Sequence, residues 1–195
     1  MLEERQEALL EKLRELWSLE AWDIEDDERG ERESGAEPRP TPRKAVPERY
    51  DIRERFWSGL LEKAKEKTKL HANISPGQYG WAGAGSGKRG LGFNYAVREH
   101  ETQVELYIDR GRDSAAENKA IFDQLQAQKG QIETVFGDDL EWQRLDDRRA
   151  CRIRKVIELG GWRDAEKWAG IQEAATDAMA CLEKALKPHI VRLQI

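Results

Sequence analysis

The densest run of chemically capable side chains is RLDDRRACRIRK, residues 144–155, in which six of twelve positions are cationic. Arg144, Arg148, Arg149, Arg152 and Arg154 carry guanidinium forks, which match phosphate oxygens two at a time. Such a run suits a surface that contacts a nucleic-acid backbone. Arg98, Arg110 and Arg112 of the neighbouring hairpin could join it. Asp146 and Asp147 sit inside the run, so the same residues also read as a solvated edge with local Arg–Asp pairing.

Lys88 and Arg89 form a second cationic site inside GWAGAGSGKRGLGFNY, Gly80 to Tyr95. A phosphate loop of the Walker type needs G-x-x-x-x-G-K-[ST], because the hydroxyl after the lysine ligates magnesium. Anchored on Gly87 and Lys88, the pattern meets Ala82 in place of the first glycine and Arg89 in place of the hydroxyl. An alternating strand pattern follows it, not a helix whose N-terminus would meet a phosphate. The stretch therefore reads as a glycine-rich basic turn between strands, able to touch an anion.

Asp113 with Glu117 and Lys119 resembles the Asp…E-x-K set of metal-dependent nucleases. That set belongs on a strand, whereas this E-x-K opens a helix, where Glu117 has a capping role. His71, His100 and His189 lack ligand spacing, and Cys151 and Cys181 are too few for a disulfide framework or a zinc site. Both cysteines are expected to be small buried residues. No cofactor or metal is expected. Trp57 and Trp168 fall on apolar helix faces and are expected in the core, although tryptophans can also stack on bases.

The elements that position these residues follow from periodicity. Leu2, Leu9, Leu13, Leu16 and Trp17 give an amphipathic leader helix over 1–22. Residues 23–47 are acidic and proline-rich, a linker composition. Ile52, Phe56, Trp57, Leu60, Leu61 and Ala64 line a helix from Tyr50 that ends by Pro76 and Gly77. QYGWAGA reads as a short strand. Leu91, Phe93, Tyr95 and Val97 alternate, as do Val104, Leu106 and Ile108, with room for a hairpin turn between the runs. Residues 114–137 form a helix with Ser114 and Glu117 as a capping box, a kink or break at Gly130, and Gly137 as a stop. LEWQRL and CRIRKVIEL are strands; on the second, Cys151, Ile153, Ile157 and Leu159 face inward and Arg152 and Arg154 outward. The last helix runs from Asp164 to Pro188. The order from Tyr50 is α-β-β-β-α-β-β-α, an α+β fold with an antiparallel sheet and packed helices over residues 48–195.

Composition limits the function classes. The net charge is −5. Residues 1–47 hold 8 cationic and 14 acidic residues, leaving 25 and 24 in the remainder. The domain is thus near neutral and would bind nucleic acid through a local patch. No apolar run approaches the roughly 20 residues that span a bilayer. The first residues are acidic and do not read as a secretory signal. A reducing cytoplasm is the expected location.

RFWSGLLEKAKEK, SPGQYGWAGAGSGKRGLGFNY, the run from VELYIDRGRDSAAENK to ETVFGDDLEW, and RLDDRRACRI together resemble domain of unknown function 4268, over about residues 50–190. The resemblance implies a bacterial or archaeal setting. It also implies a domain often placed after a nuclease-like domain of restriction-endonuclease type, and so a link to nucleic acid or genome defence. The metal-binding carboxylates of such proteins would lie in that other domain, which residues 1–47 do not resemble.

The leading expectation is a non-catalytic accessory module that binds DNA or RNA, or positions a nuclease-like partner. Its contacts would come from Arg144, Arg148, Arg149, Arg152, Arg154, Lys88 and Arg89. A protein-interaction module, with residues 2–17 pairing in a homo-oligomer or with a partner helix, is the second expectation. A metal-dependent nuclease using Asp113, Glu117 and Lys119 is the third.

Overall fold

The computed structural model describes residues 45–194. The expected leader helix, its pairing role through residues 2–17, and the linker before residue 45 lie outside the described residues. The chain divides into two units, Met1–Glu48 and Arg49–Ile195.

Helix α1 spans Ala45–Lys67 and so starts ahead of Tyr50. Pro47 falls in its first turn, where a missing N–H costs no helical hydrogen bond. Phe56, Trp57, Leu60, Leu61 and Ala64 are buried, as their spacing predicts. The helix ends well before Pro76. Thr68 accepts the Leu70 N–H on its hydroxyl at 3.1 Å, and this local bond replaces a helical one.

Strands β1 (Trp81–Gly85), β2 (Leu91–Val97) and β3 (Thr102–Ile108) form an antiparallel meander. Helices α2 (Ala115–Gln126) and α3 (Lys129–Phe136) follow, then β4 (Glu141–Gln143) and β5 (Cys151–Ile157). A 3-10 turn at Ala165–Lys167 leads into α4 (Trp168–Arg192). The five strands lie in the order β1-β2-β3-β5-β4, and every neighbouring pair is antiparallel. The α+β class and element order expected from the sequence are those observed, with the helix expected over 114–137 in two pieces.

Register gives the sheet two unlike faces. Leu91, Phe93, Tyr95 and Val97 share one with Val104, Leu106, Ile108, Cys151 and Ile153, and all join a single core with residues of the four helices. The other face carries Asn94, Gln103, Glu105, Tyr107, Arg152 and Arg154, none of which belongs to that core.

Several local expectations are corrected. The break between α2 and α3 comes at residues 127–128, ahead of Gly130, where Gln128 leaves helical geometry and α3 restarts with Ile132 turned into the core. Gly137 does close α3 in the left-handed conformation at φ 94°. Ser114 sits at the N-cap of α2 without a side-chain capping bond, and Glu117 instead pairs with Arg110 at 2.9 Å. Leu159 lies past the end of β5 and is 47% exposed. Cys151 is buried, but Cys181 is exposed, on a face of α4 away from the Ile171–Ala175–Met179–Leu182–Leu186 row.

Pro188 does not stop α4. A proline in a helix interior costs about 3 kcal/mol or more through one lost hydrogen bond and a clash. Continuing the helix buries Ile190 fully and brings Leu193 to 7% exposure, each worth roughly 1.5–3 kcal/mol. Burial wins.

Candidate nucleic-acid interface

One row of the sheet runs Leu91, Ile108, Cys151. The loops flanking those residues, 86–90, 109–114 and 144–150, therefore meet at one end of the sheet. They carry Lys88, Arg89, Arg110, Arg112, Arg144, Arg148 and Arg149, seven cationic side chains against four carboxylates. Residues more than sixty positions apart in the chain are gathered by strand pairing.

The loops are held together by specific contacts. Asp109 donates its N–H to the Gly90 carbonyl at 2.7 Å. A Cβ on Gly90 would lie 2.6 Å from the Arg110 Cα, and Gly90 has φ 78°, so only glycine permits this approach. Buried Asn118 of α2 accepts the Arg110 N–H at 3.0 Å and donates to the Arg149 carbonyl at 3.2 Å, tying the second loop to the third. Arg149 grips Asp109 through Nε–Oδ1 at 2.8 Å and Nη2–Oδ2 at 2.6 Å, and this pairing holds its guanidinium above the usual range.

Lys119 has a structural position. Its ammonium donates to the carbonyls of Arg144 (2.5 Å), Leu145 (2.8 Å), Arg148 (2.9 Å) and Ala150 (3.0 Å). It closes the 144–150 loop, in which Leu145 takes φ 53°. Asp113 stands at φ 64° at the start of α2, with Glu117 held by Arg110. Among the described residues, no group of three or more His, Cys, Asp or Glu side chains is placed to hold a metal ion.

The sequence-predicted cations divide into three sets. Arg144 bridges Asp123, at 2.8 and 3.1 Å, and Asp146, and its hydrogen bonds hold the Asp123 carboxyl below its ordinary range. Arg149 is clasped to Asp109, and Lys88 donates to the Leu193 carbonyl at 2.7 Å. Arg89 and Arg148 project as exposed residues, as does Arg112. Arg152 and Arg154 leave this group and lie on the polar sheet face. Arg98 is at the opposite end of the hairpin, beside the Val97–Thr102 pair.

On that face, Gly83, Asn94, Glu105, Arg154 and Glu141 form one row across all five strands. Glu105 is 1% exposed and receives Asn94 Nδ2 at 3.2 Å and Gln103 Nε2 at 3.3 Å, with Arg152 Nη1 at 3.9 Å. Burial pushes its carboxyl up against the opposing pull of Arg152. Arg154 donates to Gln103 at 2.5 Å and Glu141 at 2.9 Å, and Arg152 Nε donates to Gln143. Sequence reading missed Asn94, Glu105, Asn118 and Asp109. Alternation places Asn94 and Glu105 on the polar half of their strands, but only register shows that they meet.

The fold and its cationic loop cluster define an α+β domain in which every helix among the described residues contributes to one core and a polar sheet face lies apart from it. Residues 52–190 match the family model described as Domain of unknown function (DUF4268), so the chain belongs to that family. No curated protein and no solved structure matches the chain. Among the described residues, no helix is long and apolar enough to cross a membrane.

Proposed function

We propose that the chain is a non-catalytic accessory module that binds nucleic acid through phosphate contacts at the basic end of the sheet. The observation that carries this reading is the convergence of three sequence-remote loops with seven cationic side chains against four carboxylates. Within the cluster, Arg89, Arg112 and Arg148 are the phosphate contacts, because they are exposed. Arg144 and Arg149 are committed to aspartates and shape the loop. The family resemblance supports a role beside a nuclease-like partner in genome defence. The test is binding of the full chain to labelled DNA and RNA over a salt series. Each lost phosphate contact lowers the slope of log K against log salt by about 0.7–0.9. Arg89→Ala, Arg112→Ala and Arg148→Ala combined should flatten the slope by roughly 2–3. Absence of binding at low salt, or an unchanged slope in the triple variant, refutes the assignment.

A further inference from the structure

The sheet ends on two unlike edges. Strand β4 is three residues long, and its Glu141 pairs with Arg154 at 2.9 Å, so that edge is short and charged. Sheets guard their edges against another strand in this way. Strand β1 has no such guard. It pairs with β2 without a bulge and carries neither a charge nor a proline. Residues 72–87 hold no charged side chain, in a chain where 36% of residues are charged. That absence suits the pairing of like with like, since a charge beside a two-fold axis would meet its own copy.

The unpaired backbone groups of this edge follow from the ladder. Val97 donates its N–H to the Gly80 carbonyl at 2.7 Å, and Ser86 donates to the Leu91 carbonyl at 3.0 Å. Bonded pairs alternate along an antiparallel ladder. Ala82 and Ala84 therefore turn toward β2, while Trp81, Gly83 and Gly85 turn their N–H and C=O groups away from it. Among the described residues, no hydrogen bond reaches those outward groups. Gly83 is half-buried and Gly85 exposed, and a glycine exposes only backbone; Gly92, opposite Gly85 in β2, is buried.

The edge is also self-complementary. A second β1, laid antiparallel about Gly83, sets Trp81 of each copy opposite Gly85 of the other, on one face, and bonds every outward N–H and C=O. Space for the indole is present, because a Cβ built on Gly85 finds nothing within 4 Å. Trp81 is half-buried, so part of its ring remains to cover that glycine. Glycine is a poor strand former, and inside a strand it marks a close approach of another backbone.

We infer that β1 is a dimer edge, which pairs with β1 of a second copy of this chain to make one continuous antiparallel sheet. The inference does not depend on the nucleic-acid reading. The two-fold axis sets the two basic loop clusters at opposite ends of the joined sheet.

The experiment is sedimentation equilibrium of the full chain over a wide concentration range, with hydrogen exchange read at single amides. The unaltered chain should approach twice its 22.5 kDa. As concentration rises, the amides of Trp81, Gly83 and Gly85 should gain protection, while those of Ala82 and Ala84, already bonded to β2, change little. Gly85→Pro removes one outward donor from each copy without touching the β2 ladder, and should weaken association about tenfold or more. Gly85→Glu keeps every N–H but sets a carboxylate where the other copy's indole must lie, and should act alike. If the proline variant fails to fold, the glutamate variant and the exchange of the unaltered chain still decide. A mass of 22.5 kDa at every concentration overturns the inference. So does a dimer that the folded variants leave intact, or one whose outward amides gain no protection, because its interface then lies elsewhere.

Discussion

Arg149 and Asp109 face each other through two parallel hydrogen bonds of 2.8 and 2.6 Å, with the aspartate side chain 3% exposed and the arginine 33%. The asymmetry of burial sets the cost of losing either partner. Arg149→Ala strands a buried carboxylate and should destabilise the domain by about 2–3 kcal/mol. Asp109→Asn keeps an acceptor for the Gly111 N–H, now at 2.9 Å, and lets the arginine relax into water, so it should cost about 1 kcal/mol. Urea denaturation of the two variants checks the order, and the reverse order refutes this reading.

Lys119 is the lock of the arginine loop. Lys119→Met removes the ammonium shared by four carbonyls and should cost about 2–4 kcal/mol. The loss should be local as well as global. Amides of residues 145–150 should exchange faster by hydrogen–deuterium measurement than those of β3, and equal protection in both would contradict the role.

Gly90→Ala tests loop convergence. The added methyl group meets the Arg110 Cα at 2.6 Å in a backbone at φ 78°. A destabilisation of at least about 2 kcal/mol is expected, since both steric overlap and left-handed strain act together. Gly87→Ala, at φ 94° but with nothing within 4 Å, should cost only the backbone strain of about 1 kcal/mol. Thermal melts of the pair separate the two causes.

His71 should make the fold sensitive to acid. The residue is 1% exposed, its ring packs at a tilt against Tyr95 with 4.7 Å between centroids, and it donates Nε2–H to the Phe93 carbonyl at 3.0 Å. Burial lowers its pKa from 6.5 to about 4, against the weaker pull of that carbonyl and of Glu183. The unfolded chain binds a proton below pH 6.5, while the folded ring stays neutral until about pH 4. Stability is therefore complete above pH 6.5 and declines as the pH falls toward 4, by about 3 kcal/mol. His71→Gln, whose amide nitrogen can take the place of Nε2, should lose that part of the slope. Urea midpoints at pH 7 and 4.5 that shift equally in both proteins would exclude it.

Much of the fold was legible because it rests on short-range periodicity. The 3.6-residue stripe of Phe56, Trp57, Leu60, Leu61 and Ala64 and the two-residue alternation of Leu91–Val97 and Val104–Ile108 each state which side must leave water. Helix ends were less legible. Thr68, Ser114 and Pro188 act according to what surrounds them: a competing hydroxyl bond, a missing cap and a buried isoleucine beyond the proline.

The sequence by itself determined the strands, their hydrophobic sides, and an arginine-rich segment between β4 and β5, since propensity and alternation are local properties of the chain. Only the tertiary structure decided which cations stand together. Pairing β3 with β5 brings Asp109 to Arg149 and Lys119 of α2 under the 144–150 loop, and carries Arg152 and Arg154 away onto another face. Charge pairing depends on distances across the sheet, and those are fixed by register between strands remote in sequence.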